Sequence, residues 1–482
     1  MRLPTKHALR GLVIAATATA AAVAIQATAT HTAATLPKPS TAQATQSARI
    51  AALNALVLRT GRGIIHMNRT AVYDPPTTND CRQQFQISCF DPAQIQQAYN
   101  LSPVYNANID GQGRTIVVVD VFGSPTISND LTQFDNAFGL PDPPSFQTIA
   151  PAGRIPGYDQ NNADMVAWAG ETTLDVEWAH AIAPGANVLL VEVPAKHTDD
   201  FSKAISAENY VVKHHLGDVI SQSWGTAEQA AGPIRSLRSA YQAAAKNHIT
   251  VIASTGDTGA ANTGPDGSTY YTFPTASWPA TDPLVTAVGG TDLHLYATGS
   301  RASADTVWND TYNNSVQQLI FGDNGPNPLA TGGGKSAFFS RPSYQGAVKK
   351  VTGKARGIPD ISMSGACADS VNVYQSYGGL QAGWYAVCGT SESAPLFAGV
   401  VALAAQKAGH GLGLINPAIY KLAAEHAPGI VEVTQGNNTV SFGQNHHRYT
   451  VHGYSARHGY SLAAGVGTIN AQFFVPELAK LA

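Results

Sequence analysis

A doubly wound α/β fold, with a mostly parallel sheet and helices on both faces, is predicted for residues 89–482 from three features. Short runs rich in β-branched residues alternate with longer amphipathic stretches. The first run, Thr115-Ile-Val-Val-Val-Asp120, is apolar without a break, the pattern of a strand buried on both faces rather than one. The elements follow one another in β-α-β order, which right-handed crossovers convert into parallel neighbours. In chain order, strands are expected at Thr115–Asp120, Asn187–Val193, Asp218–Ser223, Ile249–Ser254 and Pro283–Val288. Helices are expected at residues 127–138, 163–182, 200–215 and 227–246, and an apolar one over 396–405. One domain can absorb this length, and no internal repeat suggests a second.

The elements upstream of residue 89 have a different texture. Arg2, Lys6 and Arg10 precede an apolar run from Leu12 to Ile25, and Ala27-Thr28-Ala29 supplies small residues for cleavage. This is the layout of a secretory signal peptide over residues 1–29, too short in its apolar part for a membrane anchor. Without an Arg-Arg pair the general secretory route is expected. Residues 30–88, rich in Ala, Thr, Pro and Gln, are expected to form a loosely ordered leader or short pro-region. An extracellular location suits the four cysteines, whose spacing favours local Cys81–Cys89 and Cys367–Cys388 disulfides. Charged residues make up 13% of the chain, about half of the ~25% common in soluble domains. With 29 basic and 32 acidic residues, no field of one sign points to nucleic acid or a membrane surface. Few carboxylates also means few native pairings to lose in acid.

Chemistry concentrates in three places. Gly389-Thr-Ser391-Glu-Ser-Ala-Pro395 opens the apolar helix, so the Ser391 hydroxyl would sit at a helix's positive end, where backbone N–H groups can hold an oxyanion. The alternative is an ordinary capping serine. Glu171 and Asp175 lie at i and i+4 of a predicted helix and share a face one turn apart. Two such carboxylates in a shielded cleft share a proton and can serve as base and then acid; on an open surface they would be a solvated face. Asp257, in Ser254-Thr-Gly-Asp-Thr-Gly259 directly after a strand, could donate to an oxyanion when protonated, or be a turn residue. His180, within Glu177-Trp-Ala-His180, reads as a packed helix residue rather than a base. Gly334-Lys-Ser336 lacks the earlier glycine of a phosphate loop, Leu329 standing there, and reads as a tight turn near a cleft.

Together these motifs resemble the sedolisin family, the serine-carboxyl peptidases, which are subtilisin-like in fold. Supporting matches are Leu174-Asp-Val-Glu-Trp-Ala-His-Ala-Ile-Ala-Pro-Gly185, Ser221-Gln-Ser-Trp-Gly225, Val288-Gly-Gly-Thr-Asp292 and Gly357-Ile-Pro-Asp360. The resemblance implies that Ser391 attacks the scissile carbonyl, Glu171 takes its proton, Asp175 tunes Glu171 and protonated Asp257 stabilises the oxyanion. Asp120 stands where subtilisins keep their catalytic aspartate and is expected to be structural here. Two departures stand out. Members carry a large folded propeptide, whereas only residues 30–89 separate the signal peptide from Phe90. They also bind calcium through two aspartates, at positions where this chain has Glu432 and Ser461, with Arg457 nearby. No cofactor is therefore expected to be required, and calcium is doubtful. The reading is a secreted, monomeric peptidase acting in acid on polypeptides or peptides, cutting internally or trimming tripeptides. A Ser/His/Asp hydrolase and a non-catalytic binding protein on a peptidase fold are the alternatives.

Overall fold

The computed structural model describes residues 64–66, 74–194, 200–230, 232, 234–264 and 268–482. The expected signal peptide lies outside the described residues, as does most of the leader. Two three-residue strands, β1 (Ile64–His66) and β2 (Ser88–Phe90), flank helix α1 (Thr78–Phe85). Strands and helices then alternate: β3 (Thr115–Val121), α2 (Ile127–Phe138), β4 (Phe146–Ile149), α3 (Ala163–Ile182), β5 (Asn187–Val193), α4 (Asp200–Lys213), β6 (Val219–Gln222), α5 (Ser239–Lys246), β7 (Thr250–Ser254) and β8 (Thr286–Asp292). They are followed by β9 (Thr306–Val307), β10 (Ile361–Ser364), β11 (Asp369–Gln375), β12 (Gly383–Val387), and helices α6 (Thr390–Ala408), α7 (Asn416–Ala424) and α8 (Ala471–Leu481). Further strands and helices complete the chain, among them a helix at Asn314–Phe321 and a strand at Gly334–Ser340.

The main sheet runs β4-β5-β3-β6-β7-β8, with β10 and β9 also on β8. Every pairing in it is parallel except that of the two-residue β9. At its centre Thr115 stands opposite Asn187 and Val121 opposite Val193. Alternate residues of these strands feed different cores, as the two-residue period of a strand requires. Ile116, Val219, Ile252 and Val288 join Leu174, Trp178, Phe397 and Val400 on the α3/α6 side. Val117, Val119, Ile220 and Val251 join Phe201, Ile205 and Tyr241 on the α4/α5 side. The continuous apolar runs are thus explained by cover on both faces.

A second sheet, ordered β1-β12-β11-β2, lies beside the first. Both expected disulfides form at its ends, Cys81–Cys89 with Cα atoms 5.9 Å apart and Cys367–Cys388 with 4.9 Å. The fold therefore starts upstream of the expected boundary at residue 89, which falls inside β2. Helix α1 is closed by a Thr77/Asp80 capping box, and Asn372 donates to the Pro76 carbonyl. The helix expected over 227–246 shrinks to Ser239–Lys246, preceded by a two-residue strand at Thr226–Ala227 and a 3₁₀ turn at Ile234–Ser236. The sequence Gly232-Pro233 explains this, since proline lacks the N–H and clashes with the preceding turn. Among the described residues no helix is long and apolar enough to cross a membrane.

Candidate active site

Helix α3 starts at Asn162, whose side chain accepts the Asp164 and Met165 N–H groups, and from Trp168 to Ile182 every residue is buried. This burial around the whole circumference is the difference from a solvated acidic face. Glu171 is 5% exposed and Asp175 fully buried. Neither is near a described lysine or arginine that pairs with it, so both lose hydration without a compensating cation.

The serine is delivered by the other sheet. β12 runs through Cys388 to Gly389, whose φ of +123° is open to glycine alone. A Cβ there would lie 2.9 Å from Asp257 Oδ2. α6 begins at once, so Ser391 is its second residue, in the first turn where N–H groups have no helical partners. Pro395 has no N–H to close the ring back to Ser391, and the freed Ser391 carbonyl lies 3.3 Å from Ser223 Oγ. The same hydroxyl donates to Asp175 Oδ1 at 2.9 Å. Farther along, Gly399 lets α6 close onto α3, since a Cβ there would sit 2.6 Å from Ile182 Cβ.

These constraints bring Ser391, Glu171, Asp175 and Asp257 into one site. Burial pushes the Glu171 carboxyl well above its ordinary pKa; the neighbouring Ser391 hydroxyl opposes that rise, and the Asp120 and Asp257 carboxyls add to it. Asp175 moves the same way through burial, Asp120 and Glu171, with the Ser223 hydrogen bond opposing. The cluster consequently holds protons as a unit. Asp257 follows β7 and is fixed by Thr390, whose N–H and hydroxyl both donate to Oδ1 at 2.8 Å. Thr390 Oγ1 in turn accepts the Gly256 N–H at 3.0 Å. Gly334-Lys-Ser336, expected as a tight turn, instead opens the strand Gly334–Ser340, and Gly332 just before it donates to the Gly256 carbonyl and braces the same loop.

Ser223 and Thr390 were given no role in the sequence reading, and Asp120, which was named there, sits closer to the site than that reading placed it. Asp120, expected to be only structural, is fully buried in the carboxyl cluster, with burial pushing its pKa up to about 7. Ser223 bridges Asp175 and the Ser391 carbonyl. Thr390 locks Asp257. Asp120 is the last residue but one of β3, Ser223 follows β6 and Asp257 lies just beyond β7, so the rule that sites in parallel sheets gather at the strands' carboxyl ends was the available signal. Glu177 is a buried structural partner that accepts the Tyr374 N–H at 3.2 Å. Glu392, next to Ser391, is also fully buried. His180 has no role as a base: its Nε2 donates to the Pro141 carbonyl at 2.8 Å, and burial depresses its pKa to about 4.

The residues at the resemblance-derived calcium positions do not fit that ion. Glu432 accepts from His458 Nδ1 at 2.8 Å and from the Gly459 N–H at 3.0 Å, while Ser461 Oγ accepts the Ala464 N–H at 3.0 Å. A hard cation that takes six to eight oxygens finds here one carboxylate, already engaged.

A model of the subtilase family matches residues 152–446. Kumamolisin from Bacillus sp. (strain MN-32) is 31% identical over 391 residues, covering 79% of this chain and 62% of its own length. Sedolisin from Pseudomonas sp. (strain 101) is 30% identical over 389 residues, covering 79% and 60%. This chain spans about three fifths of the length of those two relatives. A solved structure of Pseudomonas sedolisin, a serine-carboxyl proteinase complexed with two molecules of pseudo-iodotyrostatin, superposes with a TM-score of 0.64 at 28% identity, covering 82% of this chain and 97% of that one. The chain belongs to the subtilase family and, within it, to the sedolisins. Its subtilisin-like fold is the one the sequence predicted.

Proposed function

We propose that this chain is a secreted serine-carboxyl peptidase that hydrolyses polypeptides or peptides in acid. The observation that carries the reading is the convergence of Ser391, on a helix N-terminus, with Glu171 and Asp175 on a buried neighbouring helix. In this mechanism Ser391 Oγ bonds to the scissile carbonyl carbon and its proton passes to Glu171. The C–N bond then breaks as Glu171 returns that proton to the leaving amine, and water repeats the sequence on the acyl-enzyme. Asp175 holds and tunes Glu171. Protonated Asp257 donates to the oxyanion together with the Ser391 N–H in the first turn of α6. No cofactor is required in this reading, and calcium has no part in it.

Burial raises the Glu171 and Asp175 pKa values, which makes Glu171 a stronger base and lets the pair keep its shared proton into mildly acidic solution. As pH rises the cluster loses that proton and activity falls. Ser391→Ala should lower peptide hydrolysis at least ~100-fold with the fold intact, and Glu171→Gln by ~10²–10⁴. A pH–rate profile on a peptide substrate completes the test. A wild-type rate still climbing at about pH 8 would contradict carboxyl-based proton transfer.

A further inference from the structure

Away from the active site, Asp292, His294 and Asp369 offer ligand atoms that all lie within 4.8 Å of one another. Asp292 is the last residue of β8, and His294 lies two positions on, so an extended chain turns both side chains to one side. Asp369 opens β11 and is held against β2 by its pairing with Ser88. His294 Nε2 is 3.2 Å from Thr306 Oγ1. With the Nε2 proton on that hydroxyl, the Nδ1 lone pair faces the two carboxyls, at 3.6 Å from Asp292 Oδ1 and 3.9 Å from Asp369 Oδ2. Those separations are longer than hydrogen bonds, so His294 bonds neither carboxyl, while Asp292 and Asp369 lie close enough to each other to share a proton or a cation. Asp292 Oδ1 is enclosed and has no hydrogen-bond partner. A cavity of about 310 Å³ reaches His294 and Asp369, with room for water. Arg82, on its wall, is committed to Ser88 Oγ at 3.2 Å and to the Leu295 carbonyl at 2.6 Å.

We propose that Asp292, His294 and Asp369 bind a divalent transition-metal ion, with water from the cavity completing its coordination. Bonds of about 2.0–2.2 Å place neighbouring ligands around zinc about 3.3–3.5 Å apart, so the two carboxyls need move only a few tenths of an ångström toward His294 Nδ1. One imidazole with two carboxylates suits zinc, cobalt or manganese, and is a poor set for calcium. The bound ion ties the end of β8 to the start of β11, next to the Cys367–Cys388 disulfide.

The test is calorimetric titration of zinc into the full chain, freed of metal and held at neutral pH, with thermal melting and the visible spectrum of the cobalt(II) form. One zinc per chain, a melting temperature raised by zinc and lowered again by chelator, and at least ~10-fold weaker binding in His294→Ala and Asp369→Asn are expected. His458→Ala should bind as wild type does, which separates this site from Glu432. Thr306→Val keeps all three ligands and should still weaken binding, which covers the case in which a ligand variant fails to fold. Absence of stoichiometric zinc binding by the wild type, or binding that neither Thr306→Val nor a folded ligand variant weakens, overturns the proposal.

Discussion

Ser223 is a single side chain, outside the proposed catalytic set, that touches two of its members. Its hydroxyl lies between Asp175 Oδ1 and the Ser391 carbonyl, and the latter is free because residue 395 is proline. The Ser223 hydrogen bond lowers the Asp175 pKa against burial. Ser223→Ala should therefore raise that pKa further, moving the acid limb of the pH–rate profile to higher pH and lowering kcat with little change in KM. An unchanged limb would make Ser223 a packing residue only. The residues proposed as catalytic were legible because the spacing of Glu171 and Asp175 and the Gly-Thr-Ser frame are local features. Ser223 and Asp120 were not, because their partners come from other strands, and no spacing along one segment reveals what the ends of three parallel strands bring together.

Helix α6 gathers the site, and its contact with α3 depends on Gly399. In an exposed helix Gly→Ala stabilises by about 0.5–1 kcal/mol. Here the new Cβ would stand 2.6 Å from Ile182 Cβ and 3.2 Å from the Ala179 carbonyl, so the helices must separate. Gly399→Ala is expected to lower the melting temperature and reduce kcat, through displacement of Ser391 from Glu171; a gain in stability would remove the close-approach argument. Element by element, α2, α3 and β5 appear at their predicted bounds: α2 is amphipathic, α3 is a long run that stops just before Pro184, and β5 is a short, mostly apolar run. The helix expected from residue 227 was overextended by reading alanine-rich composition past a Gly-Pro break. The Gly357-Ile-Pro-Asp360 motif was visible, but its physics was not. Arg356, fully buried, donates to Asp360 at 2.6 and 2.5 Å, and Asn416 and Tyr420 of α7 also donate to that carboxylate. Those partners are more than fifty residues away, which local pattern does not encode.

Across the whole molecule, buried carboxyl groups set how stability follows pH. Burial raises Asp310 to about 6, Glu192 to about 7 and, with help from Asp142, Asp135 to about 8; Glu208 and Glu392 are pushed well upward by burial too. Each folded pKa lies above its unfolded value near ~4. Below that value both states are protonated and the contribution to stability is complete. Above it the unfolded chain releases protons that the native state keeps, so stability declines as pH rises through the folded pKa values. The melting temperature should be higher at about pH 4.5 than at about pH 8, the reverse of ordinary acid denaturation. A melting temperature that instead rises toward neutrality would mean these groups find ionised partners. The sheet order β1-β12-β11-β2 has a different kind of consequence. Among the described residues, the backbone of Ile64–His66 pairs with the outer side of Tyr385–Val387, in the strand that leads to the proposed nucleophile. A chain begun at Asp74 would present that row of N–H and C=O groups as a template for another copy. Such a truncation should self-associate in a concentration-dependent way, visible by light scattering, and Ile65→Pro in the full chain should do so more weakly. For anyone producing this protein, the place where the recombinant chain begins is a determinant of its colloidal behaviour.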